Sequence, residues 1–229
     1  MLSLAVPAGP LSVLCLGAHP DDIEIGCGGT LLALAQRDDV TVAGLVLTGT
    51  LERQEEARKS LSRFVPGAVV ETAGLRDGRL PADWDLAKDV LEEAAQRHTP
   101  DLVLAPRVDD AHQDHRVVGQ LASTVWRDAL VLHYEIPKWD GDLTTPSHYV
   151  ALPPEMVEEK VRLLDESFPS QVGRDWWDHE LFRGLLRLRG VECRAPYAEG
   201  FHGRKVLVDL APTTPHGREG DDHATAGGW

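Results

Sequence analysis

Two short stretches carry residue types able to do chemistry: His19-Pro20-Asp21-Asp22 and, much later in the chain, Asp109-Asp110-Ala111-His112-Gln113-Asp114-His115. A turn brings His19 and Asp22 close enough to bind one ion, and His115 offers a third donor from the second stretch. Two imidazoles and one carboxylate with open positions match a catalytic zinc site, where the free position holds water. Zinc lowers that water's pKa to about 7, which makes hydroxide available at neutral pH. Asp21, adjacent to a ligand but facing elsewhere, is the candidate to take the water's proton. His112 is the candidate to stabilise the oxyanion or protonate the leaving group, and Asp114 to orient His112. Each stretch alone also has a plainer reading. The first can be a turn in which Asp21 or Asp22 caps the next helix, and the second a pair of solvated histidines at a helix start.

What decides between these readings is whether the fold brings the stretches together. Residues 11–18 form a short, nearly all-apolar run, as expected for a strand covered on both faces. Helical spacing follows over 25–37, after Gly26, Gly28 and Gly29, and a second buried strand over 40–47. The alternation continues with a helix over 52–64, a strand over 68–72 and a helix over 83–98. A strand over 100–106, a helix over 114–129 and a strand over 130–136 complete it. Beyond it the sequence predicts helices over 154–168 and 175–189 and a closing strand over 205–208. This pattern predicts an α/β fold: a Rossmann-like, doubly wound, mostly parallel sheet with helices on both faces. In the strand order 3-2-1-4-5, strands one and four are neighbours at the point of reversal, where ligands bind at the carboxyl ends. The first cluster follows strand one and the second follows strand four. The topology therefore predicts one site built from both.

One domain over 1–211 is expected, with 212–229 a disordered tail, since that segment offers almost nothing apolar to bury. The formal net charge of −14 argues against a nucleic-acid or anionic-membrane partner. The apolar run over 11–18 is too short to span a bilayer, and no Lys or Arg precedes Arg37 to start a signal peptide. A cytoplasmic location follows as the expectation. Cys15, Cys27 and Cys193 are odd in number and lack CxxC spacing, so neither a disulfide framework nor a Cys-rich zinc site is expected.

These residues together resemble the PIG-L/LmbE-like zinc-dependent N-deacetylases. The likeness runs through AHPDDIEIGCGGTL at 18–31, Arg53-Gln54-Glu55-Glu56, Asp77-Gly78, the segment 106–115 with its HxDH ending, and Tyr197-Ala-Glu-Gly-Phe201. It implies zinc, or another divalent metal, on His19, Asp22 and His115, with Asp21 as general base. By the same resemblance His112 assists the oxyanion, Asp114 tunes it, Arg53 contacts substrate and Asp77 meets a sugar hydroxyl. The implied substrate is a small N-acetylglucosamine-type sugar or conjugate, on whose face Trp84, Trp139, Trp176 or Trp177 could stack. The segment 48–51 is shorter than the loop many relatives place there. An amidase acting on a non-sugar amide, or a non-catalytic Rossmann-like binding protein, is the alternative.

Overall fold

The computed structural model describes residues 3–6 and 9–208. Strand β1 (Leu11–Gly17) is apolar except for Ser12, as suits a strand covered on both sides. Val13 and Cys15 join one core cluster and Leu14 and Leu16 the other, in the strict alternation a strand imposes. Each buried Val or Leu of this kind contributes roughly 1.5–3 kcal/mol.

The chain continues through α1 (Asp22–Leu34), β2 (Val40–Thr48), α2 (Leu51–Phe64), β3 (Val69–Leu75), α3 (Trp84–Arg97), β4 (Leu102–Pro106), α4 (Gln113–Val125) and β5 (Leu130–Tyr134). Then follow β6 (His148–Leu152), α5 (Pro154–Ser167), α6 (His179–Cys193) and β7 (Tyr197–Gly203). Among the described residues the strands form one sheet ordered β3-β2-β1-β4-β5-β7-β6. The first five are parallel, while β7 runs antiparallel to both β5 and β6. Ile23, Leu61, Val161 and Phe182 bring α1, α2, α5 and α6 onto one face; Leu91 and Val118 bring α3 and α4 onto the other. This is the doubly wound sheet that the sequence predicts, reversing between β1 and β4.

The structure corrects the expected closing strand. Residues 205–208 join no strand, and Leu207 is 96% exposed. Both ladders of β7 are already taken, one by β5 and one by β6, so no edge is left there for this segment. Strand β6 has no counterpart among the expected elements. The expected tail over 212–229 lies outside the described residues. No helix among the described residues is long and apolar enough to cross a membrane.

Candidate metal centre and substrate cleft

The first cluster is a turn closed by its own carboxylate. Asp22 accepts the backbone N–H of His19 at 2.8 Å, and the His19 carbonyl accepts from Asp22 N–H at 3.3 Å. Asp21 stands at the N-cap of α1 but makes no side-chain cap bond. Its carboxylate instead pairs with the Arg53 guanidinium at 2.7 Å. That pairing depends on the short 48–51 segment. Thr48 donates both its N–H and its hydroxyl to the Ala18 carbonyl, at 2.9 and 2.6 Å. Gly49 has φ +115, and a Cβ there would lie 2.7 Å from Pro20 Cγ. Thr50 then caps α2 by accepting Arg53 N–H at 3.4 Å. A tight loop thus presses on Pro20 and sets Arg53 on Asp21.

The second cluster starts helix α4. His112 is its N-cap, and the ring Nδ1 accepts the Asp114 N–H at 3.2 Å. The sequence expectation that the Asp114 side chain orients His112 is therefore corrected. The Asp114 carboxylate accepts the N–H groups of Gly78 and Leu80, at 2.7 and 3.1 Å, and stands 3.6 Å from His19 Nε2. It is drawn there because two free backbone donors of the β3–α3 loop need an acceptor. Asp110, which the sequence does not single out, takes the orienting place for His115. Its Oδ2 lies 3.1 Å from His115 Nδ1, while its Oδ1 accepts His112 N–H at 2.8 Å.

The two clusters meet at the sheet's reversal. His19 Nδ1 lies 3.1 Å from His115 Nε2, and the two oxygens of the Asp22 carboxylate face one each, Oδ2 at 3.4 Å from His19 Nδ1 and Oδ1 at 3.2 Å from His115 Nε2. Donors around a tetrahedral ion held at 2.0–2.1 Å stand roughly 3.3 Å apart. The three groups thus fit a divalent ion in spacing and in chemistry. His112 stands beside them, its ring 4.7 Å from each of the other two imidazoles. A histidine-only grouping of 19, 112 and 115 also has its nitrogens within reach of one ion. The Asp22 carboxylate is buried against both His19 and His115 and would supply the negative charge a cation needs.

Charge balance points the same way. Burial pulls the His19 and His115 pKa values down, but the Asp22 charge and nearby carboxylates outweigh it and hold both above the usual imidazole value. Burial would raise the Asp22 pKa, yet the two imidazoles keep it well below normal. The pocket favours positive charge at the place where a metal would supply it. His112 behaves oppositely: burial, then the charges of His19 and His115, lower its pKa to about 4. It is a neutral imidazole at pH 7.

A cleft of ≈ 230 Å³ opens above these groups, bordered by His19, Asp21, Asp22, Arg53, Asp77 and His112 and continuing past Lys138 and Gln171 to Trp139 and Trp176. Asp77, 63% exposed, lies at the rim with one oxygen 3.2 Å from His19 Nε2. All eight residues singled out by sequence, His19, Asp21, Asp22, Arg53, Asp77, His112, Asp114 and His115, are brought together here.

The family model described as PIG-L, GlcNAc-PI de-N-acetylase, matches residues 14–126, from β1 to the end of α4. The uncharacterized deacetylase YaiS of Escherichia coli K12 is 31% identical over 159 residues, covering 64% of this chain and 80% of that protein. A diacetylchitobiose deacetylase of Thermococcus kodakarensis is 30% identical over 127 residues, covering 48% of this chain and 46% of its own. In fold, the N,N'-diacetylchitobiose deacetylase of Pyrococcus horikoshii superposes with TM-score 0.66 at 24% identity, covering 84% of this chain and 83% of that one.

Proposed function

Because the chain belongs to the PIG-L family of de-N-acetylases, we propose that it hydrolyses the N-acetyl group of an N-acetylglucosamine-type sugar, using zinc held by His19 Nδ1, Asp22 and His115 Nε2. The observation that carries this reading is the meeting of those three donors at 3.1–3.4 Å in a buried place that favours cations. A divalent ion held there would supply Lewis acidity toward the amide carbonyl and would lower the pKa of water toward about 7.

The remaining steps fall to the chain's own groups. Asp21, paired with Arg53 and free of any capping duty, takes a proton from the attacking water. His112 has its Nδ1 occupied as an acceptor, so its proton sits on Nε2. That neutral N–H donates to the carbonyl oxygen as negative charge develops. Asp21 then returns its proton to the departing nitrogen, and the C–N bond breaks to give acetate and a free amine. Asp110 holds His115 in place, and Asp114 and Asp77 flank the outer nitrogen of His19. Arg53 and Asp77 also border the cleft, where they can meet sugar hydroxyls. A cytoplasmic location belongs to the same proposal, supported by three free cysteines.

The test is metal analysis of the purified protein together with acetate release from a panel of N-acetyl sugars and non-sugar acetamides. About one zinc per chain and acetate from the sugars are expected. Acetate only from non-sugar amides would make it a different amidase, and neither metal nor acetate would leave a binding protein.

A further inference from the structure

Away from the cleft, a serine and a histidine stand in the relation of nucleophile and base. Ser123 lies near the end of α4, and His133 lies on β5. Leu130 and Leu132 pack on one side of the sheet and Val131 on the other, so strand alternation turns His133 toward α4. His133 is 1% exposed, and its Nδ1 is 2.8 Å from the Pro106 carbonyl. A carbonyl only accepts, so Nδ1 carries the proton and Nε2 presents a lone pair. The Ser123 hydroxyl, 3.2 Å from that Nε2, donates to it. Helical serines and threonines commonly bond back to the preceding turn, as the Thr124 hydroxyl does to the Leu121 carbonyl at 3.0 Å. Ser123 instead turns off the helix toward the imidazole. Burial lowers the His133 pKa below the usual imidazole value; the Pro106 bond and Asp109 oppose this, and the Arg204 and His202 charges add to it. The base is neutral at pH 7.

Two hydrogen bonds would also satisfy a histidine that is merely buried. Access is what gives this pair a chemical use. Ser123 is half-buried and borders a second pocket of ≈ 280 Å³, whose other walls are Trp126, Ala129, Val131, Arg204 and Lys205. The Trp126 N–H reaches the His98 carbonyl at 3.4 Å, which fixes that wall. Indole, methyl and isopropyl groups offer an apolar surface to a short acyl chain. Arg204 and Lys205 bring positive charge to the same pocket, in a chain whose net charge is −14. No residue bordering this pocket borders the cleft of the metal centre. Ser123 and His115 stand at opposite ends of α4, about 12 Å apart along the helix at 1.5 Å per residue.

We propose that Ser123 and His133 form a second hydrolytic site, independent of the metal centre, which cleaves carboxylic esters with a short apolar acyl group. Ser123 Oγ attacks the ester carbonyl carbon as its proton passes to His133 Nε2. The Pro106 carbonyl holds the imidazolium through Nδ1, and the positive charge of Arg204 and Lys205 favours the oxyanion. The bond to the alcohol oxygen breaks, and His133 returns its proton to that oxygen, leaving Ser123 acylated. A water then gives a proton to the same Nε2, attacks the acyl carbon, and releases the acid and the free hydroxyl.

The experiment treats zinc-loaded parent and Ser123→Ala with a fluorophosphonate, maps the adduct by peptide mass, and follows hydrolysis of p-nitrophenyl butanoate. The parent should carry the phosphonyl group on Ser123. Ser123→Ala should lower ester hydrolysis at least about tenfold, the loss of a nucleophile together with its base, with zinc content as in the parent. Fluorophosphonate-treated parent should fall to the same residual rate. His133→Gln removes the base but disturbs a buried position, so Ser123→Cys supplies a second measure. A thiol beside the His133 lone pair should react with iodoacetamide well below pH 8.5, where an ordinary thiol is mostly protonated. An unlabelled Ser123, ester hydrolysis unchanged in Ser123→Ala, or an ordinary thiol profile in Ser123→Cys would overturn the proposal. None of these readouts depends on acetate release from an N-acetyl sugar, so the second site and the deacetylase reading fail separately.

Discussion

Lys160 and Glu199, from α5 and β7, form a buried ion pair of 2.7 Å that closes a break in the helix carrying Asp22. Helix α1 loses helical geometry at Cys27, where φ is −139. The break leaves backbone groups without helical partners, and the pair takes them up. Glu199 accepts the N–H groups of Gly29 and Thr30, both at 2.7 Å, and the Thr30 hydroxyl at 2.6 Å. Lys160 donates to the Ile25 carbonyl at 2.6 Å. Glu199 thus accepts four hydrogen bonds and Lys160 donates two, the kind of partnering under which a buried pair is tolerated.

Glu199→Ala should therefore destabilise strongly. It orphans two amide donors and leaves Lys160 buried without its counter-charge, a loss of about 3–5 kcal/mol. For a chain of this size each kcal/mol moves Tm by about 2–4 °C, so a fall of roughly 6–20 °C is expected. Denaturant titration measures it, and a loss under about 1 kcal/mol would mean the break is held by something else.

This clamp also shows where legibility in the sequence ends. The central parallel strands were readable because a strand covered on both faces is nearly all apolar, as 11–17, with Ser12 the one polar side chain, and 102–106 are. The site was readable because its donors sit on two short stretches that the strand order must bring together. Strand β7 was not, since Tyr197-Ala-Glu-Gly-Phe places a charge and a glycine where a strand signature needs apolar residues. Its Glu199 faces inward only because Lys160 and the broken helix meet it there, contacts between residues far apart in sequence. Asp110 escaped for a similar reason. Its tie to His115 crosses the start of α4, which follows no helical or strand period.

Asp21 and Asp22 are chemically identical neighbours that geometry separates. Asp22 faces the imidazoles of His19 and His115, the other two proposed ligands, so Asp22→Asn should empty the site of zinc. Asp21 faces Arg53 and the cleft, so Asp21→Asn should keep the metal and lower kcat by about 10²- to 10⁴-fold. Metal content and acetate release are measured on both. If Asp21→Asn loses zinc while Asp22→Asn keeps it, the two roles are exchanged.

Gly49 tests how tightly the short loop sets the first cluster. An alanine there is strained by φ +115 and also collides with Pro20. Gly67 has φ +88 with nothing near its would-be Cβ, so Gly67→Ala isolates the backbone strain. Gly49→Ala should cost about 1–3 kcal/mol, more than Gly67→Ala, and should lower kcat because Pro20 adjoins Asp21. Equal melting shifts and unchanged turnover would show that the loop yields freely.

Glu24 predicts a pH dependence of stability with a definite sign. It is buried, its Oε2 lacks a hydrogen-bond partner among the described residues, and burial raises its pKa from 4.5 to about 8. The folded state therefore holds a proton that the unfolded chain releases above pH 4.5, so stability falls as pH rises from there to about 8. Between pH 6 and pH 9 this one group removes roughly 2–3 kcal/mol, at 1.36 kcal/mol per pH unit until it ionises. Glu24→Gln keeps the shape without the titration and should lose that part of the slope. Urea unfolding of both proteins at pH 6 and pH 9, in metal-free form so that ion release adds no dependence of its own, gives the difference directly. At pH 9 the variant should be the more stable of the two relative to its own value at pH 6. Parallel declines in parent and variant would mean that Glu24 ionises in the folded protein as readily as in water.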